Sequence, residues 1–249
     1  MRKLGLIQSR GLGDIIIALP IAKYYHDRGW TVLWPIDERF LPSFAAAADY
    51  VEFIPFTFTA NVEGFLMNPM RLLKGRGCEK IIPLYSYLTN TSVADATLAA
   101  SLKFDEYKYA IAGVPFAEKW NLQIRRDPAR EQQLFDRVVR AQKYVVRQLE
   151  GSNCRLAADD TALGECEQVI DIEPLTDNIF DWILVLERSA LLVLIDSCYA
   201  NLVDQLGLRV RKTFVLRSDV RFTPVLRGEW RVRGANQSQA TARAFAAHS

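Results

Sequence analysis

Ser9, Arg10, Gly11, Gly13 and Asp14 fall in one short run between an apolar segment, Leu4 to Gln8, and a stretch whose apolar residues follow helical spacing. Two chemistries fit that pattern. A Gly-x-Gly turn leaving a strand, with the acidic pair Asp37-Glu38 about 20 residues on, imitates a dinucleotide-binding fingerprint. Its third glycine is missing, because Ile16 stands there. Asp14 also puts negative charge at a helix N-terminus, where a pyrophosphate would lie. Two like charges about 4 Å apart repel by roughly 4 kcal/mol at an effective dielectric of about 20, so an NAD or FAD site is disfavoured. A carboxylate displayed at the mouth of a sheet serves instead as a general base, and the flanking glycines let another molecule approach closely. A structural role fits the same residues, with Asp14 capping its helix and the glycines making the turn. The residues alone leave both open.

The elements that position this run read as strand, glycine turn, helix and strand: Leu4 to Gln8, Asp14 to Arg28 with Pro20 inside it, and Thr31 to Trp34. That is a βαβ unit and predicts a parallel sheet. The alternation continues with a helix over 42–48, a strand over 51–55, a helix over 67–74, a strand over 80–84 and a helix over 93–103. Asp127-Pro128 reads as an N-cap with proline at the first helical position, opening a helix that leads to a strand at Tyr144 to Leu149. Further strands are expected at 168–172, 191–195 and 213–216, and helices at 179–188 and 199–206. Two α/β domains follow, 1–126 and 127–249, and Ala235 to Ser249 reads as a disordered tail.

Composition narrows the function classes. Half of the 249 residues are apolar and 24% are charged, a globular balance. Thirty-one Lys and Arg against 29 Asp and Glu leave a net charge of +2, which gives no argument for nucleic acid or a membrane surface. Apolar runs such as 15–19 and 191–195 stop far short of the roughly 20 residues of a spanning helix. The start of the chain fails as a signal peptide, so a cytoplasmic protein is expected. The cysteines (Cys78, Cys154, Cys166, Cys198) form no C-x-x-C pair, and the histidines are His26 and His248. A zinc site, a disulfide framework and a His-dependent hydrolase are therefore poorly supported, and no metal or cofactor is expected.

The stretch LGLIQSRGLGDIIIALPIA over 4–22 resembles the N-terminal signature of glycosyltransferase family 9, the lipopolysaccharide heptosyltransferases. LLVLIDSCYANLVDQLGL over 191–208 is similar to the family's strand, Asp-Ser/Thr-Gly turn and helix ending in Leu-Gly. The resemblance implies a GT-B fold: two Rossmann-like domains with parallel sheets facing across a cleft, the C-terminal one reduced here. It implies a metal-independent, inverting transfer of a sugar from a nucleotide-sugar, ADP-heptose-like in the best-known members, to an acceptor hydroxyl. Asp14 would be the base, with Arg10, Gly11 and Gly13 beside it. Asp196, Ser197, Cys198 and Asn201 would lie against the donor, and Arg147 and Ser152 near its diphosphate. The acceptor stays open among a saccharide, a lipid-linked saccharide, a protein hydroxyl and a nucleobase. Two positions depart from the family: Cys198 stands where it has glycine, and Asn201 where histidine is usual. These departures suggest the alternative of a noncatalytic nucleotide-sugar binder. An NAD(P)-dependent oxidoreductase has only Asp37-Glu38 in its favour.

Eight basic residues against two acidic ones between Arg209 and Arg233 could meet a polyanion, but read more simply as a solvated basic surface. Trp120, Trp182 and Trp230 could stack on a sugar, and read more simply as core.

Overall fold

Short apolar runs alternating with helical stretches satisfy their backbone groups as a parallel sheet with helices against it, and this happens twice along the chain. The computed structural model describes residues 2–89, 93–151, 155–156, 166–217 and 223–234. One unit comprises Met1–Arg126 with Asp177–Ile179, the other Asp127–Thr176 and the chain from Phe180 onward.

In the first unit β1 (Arg2–Ile7), β2 (Trp30–Asp37), β3 (Val51–Phe56) and β4 (Lys80–Pro83) form a parallel sheet in the order β3-β2-β1-β4. Leu4 pairs with Val32 on one side of β1 and Leu6 with Ile82 on the other. The central strand is buried from Leu4 onward, as a strand covered on both faces must be. The helices are α1 (Leu12–His26), α2 (Leu41–Phe44), α3 (Asn68–Gly75), α4 (Ala96–Ser101) and α5 (Phe104–Ala112). α1 is buried continuously from Ile15 to Ala22, because β2, α5 and the turn at Phe116–Trp120 all pack on it. On α3, Leu73 comes so close to β1 that a Cβ on Gly5 would sit 2.7 Å from its Cδ1. Glycine is what lets that helix reach the sheet. Tyr109 Oη donates to the Ile17 carbonyl at 2.8 Å and Tyr25 Oη to the Ala112 carbonyl at 2.6 Å, fixing α5 against α1.

In the second unit α6 (Pro128–Val138) starts at Asp127, whose carboxylate accepts from the amides of Ala129 and Arg130. β5 (Tyr144–Gln148), β6 (Gln168–Asp171), β7 (Leu191–Ile195), β8 (Lys212–Leu216) and β9 (Trp230–Gly234) form a parallel sheet in the order β6-β5-β7-β8-β9. α7 (Ile183–Glu187) and α8 (Cys198–Gln205) complete it. Trp182, Ile183, Leu192, Leu194 and Phe214 are buried core. Buried Asp204 on α8 accepts from the amide of Arg227 and, at 2.8 Å, from Trp230 Nε1, fastening β9 to the helix.

Three expectations are corrected. The 93–103 helix is α4 alone, since Leu102 is extended, and a further helix, α5, follows. The 42–48 helix is only the single turn of α2. β2 runs on through Pro35 to Asp37, because its pairing with β1 ends at Leu33 and proline falls beyond it. β8 and β9 run through the basic stretch, where Arg209, Arg211, Arg227 and Arg231 are exposed. The expected tail after 234, together with Ser152, Cys154 and Arg221, lies outside the described residues. Among the described residues no helix is long and apolar enough to cross a membrane.

Candidate active site

In an open parallel sheet, ligands gather where the strand order reverses, at the carboxyl ends of the strands flanking the reversal. In the first unit that point lies between β1 and β4. The chain leaves β1 through buried Gln8 and Ser9, turns at Gly11 with φ +79°, and enters α1 at Leu12. α1 has no side-chain cap. Asp14 sits in its first turn, and its Oδ1 lies 3.0 Å from Lys108 Nζ of α5. The cation is buried, its side chain 4% exposed, whereas the Asp14 side chain is 38% exposed. Lys108 also donates to Gln8 Oε1 at 2.8 Å and to the Leu84 carbonyl at 3.0 Å. Two of the ammonium's three N–H donors are thus taken, while its charge pairs with Asp14. Gln8 Nε2 in turn donates to the Arg10 carbonyl at 2.8 Å, which fixes the amide the lysine reads.

The second Asp14 oxygen borders Gly11: a Cβ there would lie 2.7 Å from Oδ2. Arg10 follows the aromatic side of the same corner, with its guanidinium 5.1 Å from the Phe65 ring centre and donating to Tyr87 Oη at 3.2 Å. Tyr87 is 55% exposed. Beneath it, Tyr85 Oη accepts from the Ser9 amide at 2.9 Å, and burial pushes the Tyr85 hydroxyl up to about 12, so it stays protonated. Asp37, the ribose-reading residue of a dinucleotide site, is buried, and its carboxylate is occupied by Arg39 through Nε and Nη2. That hydrogen bonding holds the Asp37 carboxyl below its usual range.

In the second unit the reversal lies between β5 and β7. Asp196 follows β7, 8% exposed, with Arg217 Nη2 at 3.6 Å from its Oδ2. Ser197 is the N-cap of α8, its Oγ accepting from the Ala200 amide and donating to Gln148 Oε1 at the end of β5. Asn201 Nδ2 donates to the Ser197 carbonyl at 2.9 Å, while its Oδ1 and both polar atoms of Gln205 are buried without hydrogen-bond partners. Burial pushes the Cys198 thiol up to about 12, against the hydrogen bonds of the Tyr199 and Cys198 amides. The thiol therefore stays protonated near neutral pH. Arg147 of β5 is clamped by Asp171 of β6, Nε to Oδ1 at 2.6 Å and Nη2 to Oδ2 at 2.8 Å, which holds the Asp171 carboxyl below its usual range.

The residues singled out in the sequence thus form two groups: Arg10, Gly11, Gly13 and Asp14 at the β1–α1 corner, and Asp196, Ser197, Cys198 and Asn201 at the β7–α8 corner. Arg147 stands one residue from Gln148 of the second group, its guanidinium already engaged. Lys108, Gln8, Gln148 and Arg217 are additions from the structure. Gln8, Gln148 and Arg217 had a legible signal, each a polar residue at the carboxyl end of an apolar strand. Of the tryptophans, Trp182 is core and Trp230 is bonded to Asp204. Among the described residues, no three His, Cys, Asp or Glu side chains stand together as a metal-binding group.

Two parallel sheets with helices, each with polar residues at its point of reversal, define an α/β protein of GT-B-like build. Its fold is that of glycosyltransferase family 9 structures. The family 9 glycosyl transferase from Veillonella parvula DSM 2008 superposes with a TM-score of 0.60 at 13% identity, covering 94% of this chain and 86% of that one. E. coli heptosyltransferase WaaC, solved with ADP, gives 0.54 at 13% identity over 95% of this chain and 94% of that one. The dodecameric iron-containing glycosyltransferase TibC from enterotoxigenic E. coli H10407 gives 0.54 at 12% identity over 86% and 57%. No protein-family model matches the sequence, and none of the curated proteins does.

Proposed function

We propose that this chain is a glycosyltransferase of the heptosyltransferase type, moving a sugar from a nucleotide-sugar to an acceptor hydroxyl with inversion and without a metal. The observation that carries the reading is Asp14. It is a carboxylate at the reversal point of its sheet, held through one oxygen by a buried ammonium and uncapped by its own helix. In that role it takes the proton of the acceptor hydroxyl as the hydroxyl oxygen attacks the anomeric carbon. The anomeric bond to the diphosphate breaks in the same displacement, and its electron pair leaves with the diphosphate. The donor belongs to the second unit, where Asp196, Ser197 and the opening amides of α8 lie at the sheet's own reversal point. Arg217, 3.6 Å from Asp196, brings a cation to that corner. WaaC has been solved with ADP and with ADP-2-deoxy-2-fluoro heptose, which supports an ADP-linked donor here.

Thermal unfolding in the presence of ADP-, GDP- and UDP-linked sugars tests the reading. A ligand at about a hundredfold its Kd stabilises the native state by roughly 2.7 kcal/mol, a clear rise in Tm. An ADP-sugar is expected to give that rise and, with an acceptor, release of ADP. The reading fails if no nucleotide-sugar raises Tm. Stabilisation without transfer to any acceptor would instead favour the noncatalytic binder, the reading that Cys198 and Asn201 suggest.

A further inference from the structure

Among the described residues Lys108 is the ammonium placed against Asp14, and it comes from an element that the β1–α1 corner itself does not contain. Two of the described lysine–carboxylate pairs involve α5. Lys119 and Asp105 lie 2.7 Å apart and both side chains are fully covered, so that pair ties structure together and presents nothing. The other pair is lopsided, with a covered Lys108 and an Asp14 more than a third exposed. The lysine is also immobilised: Gln8 Oε1 and the Leu84 carbonyl accept two of its N–H groups, Asp14 Oδ1 pairs with its charge at 3.0 Å, and Gln8 is itself anchored on the Arg10 carbonyl.

We infer that Lys108 is a positioning residue, whose ammonium pins Asp14 Oδ1 and leaves Oδ2, beside Gly11, as the oxygen that receives the acceptor proton. The inference rests on the transferase reading above. A carboxylate free to rotate would offer either oxygen in many orientations, and a misplacement of about 1 Å at a reacting centre costs on the order of a hundredfold in rate. Glycine at position 11 is the second half of the device, since any side chain there would fill the space against Oδ2. After transfer the proton sits on Oδ2 of a neutral carboxyl beside the fixed cation, and it leaves to water through the exposed side of Asp14. The carboxylate is then restored for the next turnover.

The test is a double-mutant cycle on single-turnover transfer, using the full chain with an ADP-sugar and an acceptor that wild type uses. Lys108→Met is expected to lower the rate about a hundredfold, with donor affinity by calorimetry within about twofold of wild type. Lys108→Arg, which keeps the charge, should recover about a tenth of the wild-type rate. In an Asp14→Asn background Lys108→Met should cost nothing further, because the lysine acts only through that carboxylate. A wild-type rate in Lys108→Met, or losses that multiply in the double variant, would overturn the inference while leaving Asp14 as the base. Should Lys108→Met not fold, Gln8→Met, which removes only one anchor, is expected to lower the rate about tenfold at unchanged donor affinity, and a wild-type rate there counts against the inference equally. Wild-type protein that transfers nothing, or Asp14→Asn that transfers normally, brings down the transferase reading and this inference together.

Discussion

The β1–α1 and β7–α8 corners follow the same plan and are finished in opposite ways. Each leaves an apolar strand at the reversal point of a parallel sheet, each opens a helix, and each carries an aspartate. At the first corner the helix has no side-chain cap, and its aspartate is turned toward a lysine brought in from α5. At the second, Ser197 caps the helix and ties it to Gln148, and Asp196 is covered beneath Arg217. A strand–turn–helix corner can thus present a charge or organise a helix end, and the neighbours decide which. The first corner depends on a distant cation, whereas the second closes mostly on residues at the ends of adjacent strands.

The contrast can be broken in graded ways. Asp14→Asn should lower transfer by about a thousandfold while donor binding measured by calorimetry stays within about twofold, since the charge-presenting corner is lost and the other is intact. Equal loss of binding would show that the two corners do not divide the work. Gly11→Ala comes next. Its φ of +79° and the Asp14 oxygen 2.7 Å from the new Cβ strain the turn, so urea denaturation should show about 1–3 kcal/mol less stability along with slower transfer. Ser197→Ala removes a cap and should cost about 1 kcal/mol in the same measurement, with weaker donor binding and an unaltered response to Asp14→Asn.

The smallest effect is one of pH. Arg147 holds the Asp171 carboxyl below its usual value, so the pair's stability is fully present above the unfolded carboxylate range and is lost as pH falls through the folded value. Arg147→Gln should flatten the acid arm of a stability–pH curve slightly, because the Asp171 side chain is half exposed and solvent screens the pair. An unchanged acid arm would show that the clamp contributes nothing measurable.

How much of this was legible follows from where each signal lies along the chain. Gly11, Gly13 and Asp14 were readable because a glycine turn between an apolar strand and a helix is a local pattern. The 191–208 corner was readable for the same reason. Lys108 was not, since nothing near it in sequence points to residue 14, and the helix carrying it was absent from the reading: the 93–112 region breaks at extended Leu102 and restarts, its new end closed when the Lys103 amide donates to Glu106. β9 was missed because Trp230 to Gly234 is short, basic and largely exposed, as an edge strand is, and its anchor is Asp204 on an earlier helix. Arg217 was counted among surface charges although it meets Asp196 from the neighbouring strand.

The lysine that steadies Asp14 also sets a date for the site in the life of the chain. Synthesis runs at about 5–20 residues per second and domains tend to fold from the amino terminus. All four strands of the first sheet, and Asp14 with them, are made by Pro83, whereas α5 begins at Phe104. A nascent first unit can therefore complete its sheet while its aspartate still lacks a cation. Docking of α5 is then the event that turns an ordinary surface carboxylate into an oriented one, and the outer layer of the domain, more than its sheet, marks the moment at which the corner matures.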